Sequence, residues 1–124
     1  MKRNCEWTQL FFTALIVFSV GCFYPQSSYA TPPEDVQLKY NLSTQTLSVT
    51  ITHDTMFKNS HYIKFIEIKK NGAVVSINPY NTQPTGKTFT YYYKIPAIEE
   101  DTFGVTATCN MYGNKTSSLL SVTP

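Results

Sequence analysis

Charge, histidine and cysteine are all scarce in this chain, and each scarcity removes a class of function. Only 15% of the 124 residues are charged, and ten Lys/Arg against eight Asp/Glu leave a formal charge of +2. That field is too weak for the electrostatic footprint of a nucleic-acid-binding protein. The two histidines both lie in the first half and no G-x-S-x-G is present, so a serine hydrolase finds no triad order here. No glycine-rich phosphate loop exists, which removes nucleotide binding. Helical periodicity nowhere persists beyond one turn, there is no internal repeat, and a Rossmann domain or α/β barrel is excluded by size. No apolar run reaches the roughly 20 residues that a membrane-spanning helix needs. What is abundant is aromatic and β-branched: nine Tyr, eight Phe and one Trp, too many for an intrinsically disordered chain.

Residues 1–30 read as a secretory signal. Lys2 and Arg3 form the positive start, Leu10–Val20 (LFFTALIVFSV) the apolar stretch, and Ser28-Tyr29-Ala30 the small-residue end that a signal peptidase reads. Cleavage after Ala30 is expected, giving a periplasmic or secreted domain over residues 31–124. A second reading of the same segment takes Ser19-Val20-Gly21-Cys22 as a weak lipobox, with Cys22 a lipidated anchor. Either way the domain keeps one thiol, Cys109, in a compartment that usually oxidises thiols.

After the leader Thr31-Pro32-Pro33-Glu34-Asp35, the chain alternates short β-branched and aromatic runs with turn residues. Strands are predicted at Val36–Asn41, Thr46–His53, Tyr62–Lys70, Ala73–Asn78, Thr88–Ile95, Phe103–Cys109 and Ser117–Val122. Asn71-Gly72 predicts a type I′ hairpin turn, which needs positive φ at both residues. About seven strands in some 90 residues is the pattern of an all-β, immunoglobulin-like sandwich. Of Tyr91-Tyr92-Tyr93, one ring is expected to pack inward and two to meet solvent. Glu99-Glu100-Asp101 reads as a solvated loop, and Lys69-Lys70 as a solvated hairpin tip.

Alternation carries the functional signal. Leu47, Val49 and Ile51 share one face and His53 continues their row; Phe103, Val105 and Ala107 share another, continued by Cys109. Two inward rows therefore end in side chains that can hold a metal. His61 is the second histidine, and the pair flanks the loop Asp54–Ser60. Imidazole suits iron, copper and zinc, and a thiolate adds a soft, charged donor. The spacing fits no zinc-finger pattern. Chemistry alone leaves three readings: a metal centre, a non-catalytic secreted interaction module in which these side chains are structural, and a copper carrier drawing also on Met56 or Met111.

His61-Tyr62-Ile63, Ile66-Glu67-Ile68 and Asn71-Gly72, with His53 before them and Cys109-Asn110-Met111-Tyr112-Gly113 after, resemble the iron domain of the superoxide reductase (desulfoferrodoxin, neelaredoxin) family. The resemblance spans roughly Thr46 to Gly113. It implies an immunoglobulin-like sandwich with a mononuclear iron held by His53 and His61 as equatorial ligands and Cys109 as the axial thiolate. It further implies superoxide as substrate and an electron-donor protein as partner. Two departures stand out. Tyr112 occupies the position of a family histidine, which makes it a candidate phenolate ligand. The N-terminal segment that carries a further histidine, together with a glutamate and a lysine at the open site, has no counterpart. The resemblance thus implies an altered ligand set, with Asp54 or Asn110 as further oxygen donors and Lys58 as a charge that could steer an anion.

Overall fold

The computed structural model describes residues 31–124, and the expected signal segment with Cys5 and Cys22 lies outside them. The described residues contain eight strands and no helix: β1 (Asp35–Asn41), β2 (Thr46–Thr52), β3 (Ile63–Lys70), β4 (Ala73–Pro79), β5 (Thr88–Lys94), β6 (Thr102–Cys109), β7 (Asn114–Thr116) and β8 (Leu120–Ser121). Accordingly, no helix among them is long and apolar enough to cross a membrane. One antiparallel sheet has the order β1-β2-β5. The other runs β4-β3-β6-β7, with β8 also on β6. This is the all-β sandwich that the alternation predicts.

The inner faces pack as their periodicity dictates. Leu47, Val49 and Ile51 from β2 meet Phe103, Val105 and Ala107 from β6 in one core, all of them fully buried. Opposite the β2 row on β5 stand Phe89, Tyr91 and Tyr93, in register with Ile51, Val49 and Leu47. Burying an aliphatic side chain of this size contributes about 1.5–3 kcal/mol. No buried side-chain nitrogen or oxygen among the described residues lacks a partner.

The hairpin turn has the expected geometry, with Asn71 at φ 53° and Gly72 at φ 83°. Three local expectations need correction. Ser117–Val122 is not one strand: β7 and β8 both pair with β6 but are separated. Ser117 interrupts them by giving its N–H to the Val105 carbonyl (2.8 Å) and accepting the Val105 N–H on its hydroxyl (3.0 Å), so a side chain replaces part of the ladder. Of the three tyrosines, two turn inward, because a period of two puts Tyr91 and Tyr93 on one face; only Tyr92, 71% exposed, meets solvent. Tyr91 stacks on Tyr80 at 4.3 Å, and the Tyr80 and Tyr93 hydroxyls lie 2.6 Å apart. Burial pushes the Tyr91 phenol up to about 12. Asp101 is not merely solvated either. It accepts hydrogen bonds from Asn71 Nδ2 and the Ile98 N–H, both 2.9 Å, which hold its carboxyl below the usual range.

Candidate metal centre

The loops Asp54–Tyr62 and Asn110–Gly113 emerge at the same end of the sandwich, and the candidate ligands gather there. His53 follows the last residue of β2 and keeps the inward parity of Leu47, Val49 and Ile51. Its N–H still reaches the Lys87 carbonyl beyond β5 (2.7 Å), so the pairing of β2 with β5 extends as far as the ligand. Cys109 closes β6 on the inward row, opposite Ile63 of β3. His61 stands two residues before Ile63 and shares its face. Between Ile63 and Phe65 the β3–β6 register shifts, and the inward parity changes from His61 and Ile63 to Ile66 and Ile68. That irregularity brings His61 inward; without it the ring would point to the opposite face from the β3 core row.

One donor atom from each of His53, His61 and Cys109 lies within 4.8 Å of the others. All three side chains are buried, at 0%, 7% and 3% exposure. The imidazoles meet edge to face, with centroids 4.6 Å apart and planes at 80°. His61 is held below the ordinary histidine range, first by burial, then by the neighbouring His53, and partly offset by the Thr31 carbonyl. That favours the neutral, ligating form. Cys109 is a free thiol whose Sγ accepts the Met111 N–H at 3.4 Å.

A residue that carried no sequence signal organises the cluster. Gln83, in the polar loop after β4, is 2% exposed. Its Nε2 donates to the carbonyls of His53 (2.9 Å) and Thr85 (2.8 Å). Those two acceptors fix the orientation of the amide, so Oε1 faces His53 Nδ1 at 2.7 Å and the Ile63 N–H at 3.3 Å. Because Oε1 can only accept, Nδ1 carries a proton, and in the singly protonated ring the Nε2 lone pair points into the cluster. Metal-binding histidines are typically held this way, by an acceptor on the second ring nitrogen. The donor set and its orientation therefore fit a metal ion, although the three donors must close in slightly to share bonds of about 2.0–2.3 Å.

Asn110 acts as a clamp. Its Oδ1 accepts the Tyr62 N–H (2.9 Å) and its Nδ2 donates to the Ser60 carbonyl (2.9 Å), fastening the segment around His61 to the end of β6. Its oxygen is thus committed to the Tyr62 backbone, with the Cys109 thiol as a second, longer donor at 3.9 Å. Tyr112 lies on the following turn, 62% exposed. Asp54 is exposed, and Met56 and Met111 are 88% and 60% exposed, so it is the backbone of Met111, not its thioether, that faces Cys109. Lys58 is exposed as well, and its carbonyl receives the Gln83 N–H at 3.0 Å.

No family model and no curated protein matches the chain. Among solved structures, it is similar to a superoxide reductase (neelaredoxin) from Ignicoccus hospitalis, at 12% identity and a TM-score of 0.44, over 73% of this chain and 82% of that one.

Proposed function

We propose that this protein is an exported, superoxide-reductase-like domain that holds one metal ion, iron in the first instance, through His53, His61 and Cys109. The observation that carries this reading is the joint burial of two imidazoles and a thiol within 4.8 Å, with Gln83 holding one ring in the ligating tautomer. The HYI-x-x-IE and CN-x-x-G stretches support iron over other ions. Held by His53, His61 and the Cys109 thiolate, an iron ion would supply one-electron chemistry, suited to the reduction of superoxide with one electron and two protons to hydrogen peroxide. The chain's own residues do the rest. Gln83 orients His53, Asn110 fixes the approach of His61, and the buried row behind the ligands keeps water from the inner side. Tyr112, on the exposed turn after Cys109, is not counted among the three donors, and an electron-donor protein would dock at this end of the sandwich.

The test is anaerobic loading of the processed protein with Fe(II), followed by oxidation. A thiolate-to-ferric charge-transfer band that disappears in Cys109→Ser is expected, with stoichiometric iron. Absence of stoichiometric metal of any kind would leave the non-catalytic module as the reading. Preference for Cu(I) over Fe(II) in direct competition would make the protein a copper carrier.

A further inference from the structure

The leader Thr31–Asp35 reaches the metal centre through Thr31. The Thr31 carbonyl oxygen lies 3.0 Å from His53 Nε2 and 3.3 Å from His61 Nε2. With Nδ1 protonated against Gln83, a singly protonated His53 turns a lone pair toward this oxygen, and a second ring proton or a metal ion would bridge the two acceptors. The spacing agrees with the ion: donors bound to one ion at about 2.0–2.2 Å, with bond angles near 90–110°, stand roughly 3.0–3.5 Å apart. Two imidazoles and one thiolate also leave the shell of an ion unfilled, short even of the four donors of a tetrahedron.

Thr31 is not there by accident of a loose end. Its hydroxyl donates to the Asp54 carbonyl (3.2 Å), and two residues on Pro33 is buried. The Glu34 N–H then joins the Thr52 carbonyl at 2.8 Å. Pro32 rests on Gly113, where a Cβ would come within 2.8 Å of the Pro32 Cβ, and Gly113 itself has φ +75°. A segment without secondary structure is thus seated at four points, with its first described carbonyl facing both imidazoles.

We propose that cleavage after Ala30 makes Thr31 the first residue of the mature chain, and that Thr31 then chelates the metal. Its α-amino nitrogen and carbonyl oxygen would close a five-membered ring with the ion, completing the set begun by His53, His61 and Cys109. The inference rests on the metal reading above. Before cleavage the same nitrogen belongs to a peptide bond, where resonance withdraws its lone pair. Full assembly of the site therefore follows export, which confines tight metal loading to the processed protein.

The experiment compares residues 31–124 with the same segment retaining Ala30, both checked for equal melting temperature without metal. Co(II) serves as the probe, its affinity measured by competition with a chelator and its d–d spectrum recorded. The segment starting at Thr31 is expected to bind at least tenfold more tightly and to give a different d–d band. α-Acetylated Thr31 should match the extended form. Tight and equal binding by both forms would overturn the chelate while leaving the three-residue metal site intact; failure of both to bind would sink the metal reading as well. Mass analysis of the full chain after export from a bacterial host should give a start at Thr31, and any other start overturns the proposal.

Discussion

Replacing Gln83 with methionine keeps the volume of the side chain and removes every polar atom it offers. Four hydrogen bonds disappear, two to Oε1 and two from Nε2. The Thr85 carbonyl is only part-buried and regains water. His53 Nδ1 can escape its unpaired state by moving the proton to Nε2, where the Thr31 carbonyl accepts it. The Ile63 N–H and the His53 carbonyl have no such exit. At about 1–3 kcal/mol for each of these two buried groups left unpaired, the loss comes to roughly 2–6 kcal/mol, a large part of the 5–15 kcal/mol typical of a domain. The tautomer shift carries a second consequence, because it blocks the lone pair that would bind metal. Gln83→Met should therefore weaken Fe(II) or Co(II) binding about 10–100-fold, the usual effect of losing such a partner. Urea denaturation without metal measures the first effect and chelator competition the second. A destabilised variant whose metal affinity stays within twofold of the parent would refute the assignment of Gln83 as the residue that sets the His53 tautomer.

Other outcomes are expected from the same geometry. Gly113→Ala meets both a positive φ and a 2.8 Å approach to Pro32; it should cost about 1–3 kcal/mol and loosen the leader, seen as faster proteolysis before Asp35, whereas unchanged proteolysis would mean Pro32 is not held by Gly113. Without metal, stability should fall as pH drops below about 6.5, the unfolded histidine value. His61 is depressed in the fold, so the unfolded chain binds the extra proton first and the contribution present above that pH is lost through the folded value; urea midpoints at pH 7.5 and 5.5 measure this, and His61→Gln should flatten the difference. Tyr112→Phe tests the phenolate directly. With the ring 62% exposed, iron affinity should stay within twofold, and a tenfold loss would establish Tyr112 as a ligand.

Periodicity of two determined most of what this sequence could announce on its own. It placed His53 and Cys109 on inward rows because each continues an uninterrupted strand parity, and it placed the Asn71-Gly72 turn because only residues tolerant of positive φ fit there. What alternation cannot see is anything that breaks alternation or acts from a loop. The shift between Ile63 and Phe65 brings His61 inward, Ser117 divides the last edge into two short strands, and Gln83 reaches the centre from a polar loop. Above all, the meeting of His53 from one sheet with His61 and Cys109 from the other depends on how two sheets stack. That is a contact between residues far apart in the chain, set by packing of the whole core and carried by no local pattern.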